Sequence, residues 1–350
     1  MKSPPVRRAL VLSAGRGERL RPLTDTLPKP LMPVLGLPVA ERTLRLLAGA
    51  GVESAAVNLH HLGSSIRQRL GDDVAGMPLV YSTEEMLLGT LGPFGLLEEF
   101  FAGVDPVLLV NGDSLCRWPV GAVARVHRAS GADATLLLSS RADPKYFGGG
   151  VVTDRHGRVL SFRGGTDGPG TRRGVFAGLH VISGDLLRNI APRPADIVSE
   201  LYEPILARGG FIHGVFTRRR WHDLGTPSRY LRAVLGQARH RGRIGRSWTA
   251  SDATVAATAK VRSTVIESGA VVEWGAHVEG SLVLDGARVG TGAEVRRSIL
   301  GPEVVIADGR RLEGQLVTRL GDVPPRPIDT VDGDLVFTPL DGTPLNGGTG

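Results

Sequence analysis

The chain has 350 residues, 41% hydrophobic and 22% charged, an ordinary balance for a folded protein with room for two domains. Its net charge of +7 is scattered, with Arg218, Arg219 and Arg220 forming the one compact basic run and no aromatic stripe beside it, so no nucleic-acid partner is expected. No stretch approaches the ~20 apolar residues of a membrane span, and the single cysteine, Cys116, excludes an internal disulfide and a Cys/His zinc cluster; a cytoplasmic protein with no membrane partner is the expectation.

Residues 9–38 begin as a short apolar run ending at Val11 and Leu12, then become a loop rich in glycine, arginine and proline. This predicts a strand feeding a phosphate cradle, in which Ser13, Ala14, Gly15 and Gly17 leave backbone N–H groups open to an anion. Arg16, Arg19 and Arg21 add charge. Pro28 and Pro30 bracket Lys29, which predicts a stiff extended segment that excludes helix. Lysine otherwise occurs only at positions 2, 145 and 260, so arginine is the default cation and a lysine here marks a compact point charge for a phosphoryl group. The P-loop requires Gly-Lys followed by Ser or Thr, and the dinucleotide fingerprint requires a third glycine where Leu20 stands; neither fits.

Apolar spacing then predicts a helix over 39–50, a strand over 54–59, a helix over 63–70 and a strand over 79–81. The alternation implies α/β architecture with a largely parallel sheet and helices on both faces. His60 and His61 lack a third ligand at metal spacing and read as packing or solvent-facing residues. Thr90 is placed to cap a helix over 91–101. The apolar run 107–110 predicts a buried strand terminated by Asn111, Gly112 and Asp113, which puts Asp113 at a carboxyl end, where open α/β sheets hold ligands. A hairpin is expected around a turn at 154–157, with a glycine- and arginine-rich mobile loop over 164–173. A second acid, Asp223, follows a strand over 211–216 and precedes a helix near Thr226 and Pro227. Mg²⁺ takes one or two carboxylates together with substrate phosphate oxygens, so these two acids are the candidate metal ligands.

The motifs resemble those of the nucleotidyltransferases that make nucleotide sugars. L-S-A-G-R-G-E-R-L-R-P-L-T at 12–24 followed by P-K-P-L-M-P-V at 28–34 is similar to that family's opening, with Ser13 and Glu18 in place of its alanine and threonine. E-E-M-L-L-G-T-L-G at 84–92, V-N-G-D at 110–113, the Tyr146–Phe162 hairpin and W-H-D-L-G-T-P at 221–227 extend the likeness over roughly residues 8–310. It implies a Rossmann-like mixed sheet and in-line attack of a sugar phosphate oxygen on the α-phosphorus of an NTP, with release of pyrophosphate. It further implies Arg19 at the β/γ-phosphates, Lys29 at the α-phosphate and the sugar phosphate, and Asp113 and Asp223 on Mg²⁺. Leu12, Ser13, Ala14, Gly15, Gly17, Arg19, Gly89 and Thr90 would surround the nucleotide. Lys29, Asn111, Gly149, Arg163 and Gly178 would surround the sugar phosphate. The sequence departs from the family where E-K-P is replaced by Arg163-Gly164-Gly165, and N-x-A-G by Val175-Phe176-Ala177-Gly178. Both departures resemble the subgroup acting on N-acetylmuramic acid 1-phosphate. GTP with mannose 1-phosphate is the first choice of substrates, because the L-G-T motif and a β-helix tail recur together in that group. UTP or dTTP with another hexose 1-phosphate is the alternative, and some relatives with this architecture are nucleotide-sugar-sensing subunits.

The implied organisation is a catalytic domain over 1–236, a basic linker over 237–250, a parallel β-helix over 251–310 and an irregular tail over 311–350. The β-helix is read from columns seventeen residues apart: Val261, Val278 and Val295; Thr264, Ser281 and Ser298; Val265, Leu282 and Ile299; Val272, Val289 and Ile306. One residue fewer than the ~18 of three hexapeptides points to a trimmed coil. In relatives such a helix is left-handed and serves assembly more often than catalysis. A homo-oligomer through residues 251–310 is therefore expected, together with a catalytic domain that stays folded when the chain is cut near 245.

Overall fold

The computed structural model describes residues 6–165, 168–241 and 247–340. The chain divides into two compact units, one of Met1–Gly15 with Ala40–His222 and one of Arg16–Val39 with Asp223–Gly350.

The first unit is built on a ten-stranded sheet. Its apolar opening strand, Arg8–Leu12, pairs in parallel with Ser54–Leu59 on one side and Val107–Asn111 on the other. Met77–Thr83 extends the parallel set. Arg172–Ile182 joins antiparallel to both Val107–Asn111 and Ala134–Ser139, and Ile212–Thr217 runs parallel to Ala134–Ser139, so the sheet is mixed and mostly parallel. Leu10, Leu109, Leu136, Leu138 and Ile182 bury their side chains in one core with Phe94 and Tyr202. Strand order reverses at Arg8–Leu12, since the chain adds three strands on one side and then crosses to lay Val107–Asn111 on the other. That switch leaves the segments after Leu12 and after Asn111 at neighbouring carboxyl ends, the place where open α/β sheets bind ligands.

Helices Val39–Gly49 and Gly63–Leu70 form where apolar spacing predicts them. The single helix expected over 91–101 is instead two short pieces, Pro93–Leu96 and Glu98–Phe101. The backbone of Ile190–Pro192 passes so close to Gly95 that an added Cβ would lie 2.5 Å from the Ile190 carbonyl oxygen, and this packing replaces helical continuity. The expected loop over 164–173 is also shorter. Arg172 and Arg173 already belong to the long strand, in register with Thr153 and Val152, while residues 166–167 lie outside the described ones.

In the second unit short strands stack in parallel, with Trp248, Val265, Leu282, Ile299 and Leu316 succeeding one another in one column. Val272, Val278, Val289, Val295 and Ile306 fill the core of this β-helix, and Val261 packs on it partly buried. The hydroxyl column has a physical reason. Thr264, Ser281 and Ser298 are fully buried, and each hydroxyl donates to the carbonyl two residues back while accepting an N–H from the next coil, 17 residues on. Every buried polar atom of the ladder is thus partnered. Gly275 and Gly292 recur because their corner requires a left-handed backbone, φ +69° and +67°.

Two boundaries differ from the sequence reading. The tail is not irregular up to 340. Arg311–Glu313 and Gln315–Arg319 continue the stack, and Leu335–Pro339 turns back antiparallel to Gln315–Arg319, laying Leu335 and Phe337 on the core. An open strand edge over an apolar core is covered in this way. Residues 341–350 lie outside the described ones. Helix Pro227–Arg241 also runs through the boundary at 236 and into the linker, whose residues 242–246 lie outside the described ones, and Trp248–Thr249 is already a β-helix strand. This helix and the loop 16–39 pack with the β-helix. The Tyr230 hydroxyl donates to the Pro33 carbonyl at 2.7 Å, and Glu267 accepts the N–H groups of Leu35 and Gly36. The β-helix, the helix Pro227–Arg241 and the loop 16–39 thus belong to one compact unit.

Candidate active site

In the first unit the cradle begins where the strand Arg8–Leu12 ends. The Leu12 carbonyl accepts the Gly112 N–H at 2.9 Å, tying the opening loop to the Asn111–Asp113 turn. The Ser13 N–H, expected to face an anion, donates instead to Asn58 Oδ1 at 2.7 Å. Asn58 Nδ2 donates to Glu84 Oε1 at 2.7 Å, and Glu84 Oε2 accepts the Leu88 N–H at 2.9 Å. Asn58 and Glu84 are buried, so this fully bonded chain fixes both the cradle and the 84–92 loop. Ala14 is buried and Gly15 exposed, with open space around the position a Cβ would occupy. Asp113 follows the turn, its Oδ1 accepting from the Ser114 hydroxyl at 3.3 Å. Gly178 lies against the same turn, where an added Cβ would come 3.3 Å from Asn111 Cβ.

The 84–92 loop is strapped to residues 195–197. Thr90 does not cap a helix; its hydroxyl accepts the Ile197 N–H at 2.8 Å, and the Thr90 and Leu91 N–H groups both donate to the Ala195 carbonyl. Gly89 passes so close to Ala195 that a Cβ would sit 2.5 Å from its carbonyl oxygen. Arg163 pairs with Asp196 at 2.8 Å, and Arg173 donates to the carbonyls of Gly149 and Gly165. The residues expected around base and sugar therefore carry structural bonds of their own.

In the second unit one carboxylate gathers the cations. Lys29 is only 8% exposed, with Nζ 3.9 Å from Asp223 Oδ1, and Arg229 donates to Asp223 Oδ2 at 2.6 Å. A side chain at Gly225 would come 2.8 Å from Arg19 Nη2 and 2.7 Å from Asp223 Oδ2, which sets the Arg19 guanidinium beside the same carboxylate. Three cations around one anion leave an excess of positive charge suited to a polyphosphate. Arg21, by contrast, is committed to Asp25 at 2.7 Å. The Gly17 carbonyl accepts from Leu20 N–H and the Thr24 hydroxyl, closing the loop on itself. Lys29 does not stand in an extended segment as the prolines suggested. Lys29–Leu31 is a single 3₁₀ turn in which Pro30 occupies a first-turn position, where its missing N–H is no loss.

Asp113 and Asp223, the expected ligands, each offer hard carboxylate oxygens. Burial pushes the Cys116 thiol up to about 12 against the pull of the Arg219 charge, so it stays protonated. Such a set suits Mg²⁺ better than zinc. Among the described residues no three His, Cys, Asp or Glu side chains form a metal cluster by themselves. Among the described residues, too, no helix is long and apolar enough to cross a membrane.

Sequence reasoning missed Asn58, Glu84, Arg229, Tyr230 and Glu267. Asn58 had a visible signal as the polar residue in an otherwise apolar strand end, and Glu267 had one too, standing in the coil column of Ala250, Leu284 and Gly301. Tyr230 had one as well, closing the W-x-D-x-G-T-P-x-x-Y pattern that starts at Trp221, whereas Arg229 had none beyond its helix.

A nucleotidyl transferase family profile matches residues 8–239, and a profile for the GlmU-like C-terminal hexapeptide region matches 231–314. The chain is 34% identical over 227 residues to a mannose-1-phosphate guanylyltransferase of Mycobacterium tuberculosis, a match covering 64% of this chain and 62% of that protein. It is 29% identical over 250 residues to the mannose-1-phosphate guanylyltransferase catalytic subunit beta of Danio rerio, covering 68% of each. It is also 30% identical over 229 residues to a mannose-1-phosphate guanyltransferase of Emericella nidulans, covering 64% of this chain and 62% of that protein. The matched part thus spans somewhat under two thirds of the first and third of these relatives.

Proposed function

Because the chain belongs to the nucleotidyl transferase family, we propose that it transfers the nucleotidyl group of GTP to mannose 1-phosphate, giving GDP-mannose and pyrophosphate. The observation that carries this reading is the convergence of Arg19, Lys29 and Arg229 on Asp223, a cationic cluster preset for a triphosphate. A phosphate oxygen of mannose 1-phosphate attacks the α-phosphorus in line. The new P–O bond forms as the bond to the β-phosphate oxygen breaks, and the electron pair leaves with pyrophosphate. The chain's own work is positioning and charge neutralisation. Lys29 meets the α-phosphate and the sugar phosphate, and Arg19 meets the β- and γ-phosphates. Asp113 and Asp223 would hold Mg²⁺, which when bound supplies further neutralisation of the phosphate oxygens. Ala14 and Gly15 offer backbone to the nucleotide, while the bond between Ser13 and Asn58 keeps the cradle's shape.

A panel of GTP, UTP, dTTP and ATP against mannose 1-phosphate and other hexose 1-phosphates, scored by pyrophosphate release with Mg²⁺, tests the reading. GTP with mannose 1-phosphate is expected to turn over fastest. A preference for UTP or dTTP would move the substrate assignment, and silence throughout with tight nucleotide-sugar binding would make the chain a sensor. We also propose a homo-oligomer with contacts on residues 251–310, where Trp274 and Val305 stand exposed. Light scattering is expected to give a multimer that Trp274→Ser weakens, and a monomeric wild type would refute it.

A further inference from the structure

Glu267 is fully buried in the β-helix, and both of its carboxylate oxygens point at one turn. Oε1 accepts the Leu35 N–H at 2.9 Å and Oε2 the Gly36 N–H at 2.8 Å. The turn joins Pro33–Val34 to Leu37–Pro38, and both of its residues are left-handed, Leu35 at φ +52° and Gly36 at φ +80°. A leucine keeps that conformation only where its surroundings hold it. The hairpin leads back to Lys29, because Val39 N–H donates to the Met32 carbonyl and Met32 N–H to the Lys29 carbonyl, each at 3.2 Å. The β-helix itself has no use for a carboxylate here. The same column holds Ala250, Leu284 and Gly301, and a buried charge without partners is costly. The Trp248 ring lies against Gly36, where an added Cβ would meet it at 3.3 Å, so the turn is gripped by packing as well as by charge.

We infer that Glu267 is a positioning residue for nucleotidyl transfer: from the β-helix it sets the turn at Leu35 and Gly36 and, through that hairpin, the place of Lys29. The inference rests on the reaction proposed above and extends it, making the β-helix a working part of the transfer apparatus as well as an assembly surface. Displacement of a positioned charge by an ångström is enough to lower a rate steeply while leaving substrate binding nearly untouched.

The full-length Glu267→Gln variant tests this, since its amide retains the side chain's shape but turns one N–H acceptor into a donor. Expected is a fall in kcat of about tenfold or more with KM for the nucleotide within about threefold of wild type. Amide exchange by mass spectrometry is expected to quicken about tenfold in the peptide covering 33–38 while peptides covering 277–300 stay as protected as in wild type. In a Lys29→Ala background, adding Glu267→Gln is expected to lower kcat no further, because the two act as one unit. Glu267→Leu, which the neighbouring Leu284 shows to fit the column, repeats the test should the glutamine variant fold poorly. An active wild type with unchanged kcat in both variants overturns the inference alone, as does unchanged exchange at the turn or a fully additive double variant. A wild type with no transfer overturns the reaction and this inference with it.

Discussion

In the sheet unit Ser13, Asn111 and Asp113 lie at or just beyond the ends of strands whose backbone ladders fix them, whereas in the second unit Lys29 lies in a 3₁₀ turn whose following hairpin is held by side chains from far along the chain, and Asp223 closes the short strand Trp221–Asp223. Parallel pairing of Leu12 with Asn111 sets the first group to within the geometry of a sheet. The segment that carries Lys29 depends on Tyr230 reaching Pro33 and Glu267 reaching Leu35, two contacts made across about 200 or more residues of sequence. Ladders are redundant, so losing one bond costs little order; a loop pinned at two points loses its place when either fails. Removing any one pin should therefore affect rate more in the second unit than in the first.

The largest effects are expected at the two acids proposed as metal ligands. Asp113→Ala and Asp223→Ala are each expected to lower turnover on the order of 10²–10³-fold, measured as pyrophosphate release across a range of Mg²⁺ concentrations. Near-normal activity of either variant at low Mg²⁺ would remove that residue from the metal site. Cutting the chain near residue 245 comes next. It deletes Glu267 and Trp248 and should lower turnover ~10²-fold, with residues 16–39 becoming protease-sensitive while the sheet unit keeps its secondary structure. A truncated chain of full activity would mean that the tail is separable from the transfer. Lys29→Arg sharpens the point on a smaller scale. In a nearly buried 3₁₀ turn a longer planar group has no room to settle, so kcat should fall about tenfold with nucleotide affinity little changed.

The smallest effect separates the units by pH. In the sheet unit burial holds the His180 imidazole down to about 3, and burial also lowers His127 and His213. A group whose pKa is lowered on folding adds stability above its unfolded value near 6.5, and that stability is lost as pH falls from there toward 3. Stability of the sheet unit should weaken over that range by up to ~1.4 kcal/mol per pH unit from His180, and His180→Gln should flatten the slope. The β-helix core of valines, alanines and bonded hydroxyls should show no matching slope in amide exchange.

What could be read from the sequence follows the same division. Strands came from apolar runs such as Val107–Val110, and the β-helix from its seventeen-residue columns, because periodicity is a local property of the chain. The antiparallel cover at Leu335–Pro339 escaped because it obeys no repeat, and the broken helix after Gly92 escaped because its cause, the close backbone of residues 190–195, lies about a hundred residues away. At the candidate site the charged residues were legible by type and motif. Their supports were not: Arg229 on Asp223, Asn58 on Ser13 and Glu267 on the Leu35 turn are defined by contacts that no spacing encodes.

The central claim is that the intact chain moves the α-phosphoryl group of a nucleotide onto a sugar phosphate. Full-length protein incubated with Mg²⁺, mannose 1-phosphate and GTP labelled at the α-phosphate answers it in one chromatogram. Label is expected in GDP-mannose, with none in the released pyrophosphate and no labelled product without mannose 1-phosphate; label appearing as free GMP, or remaining entirely in GTP, would refute nucleotidyl transfer to the sugar phosphate.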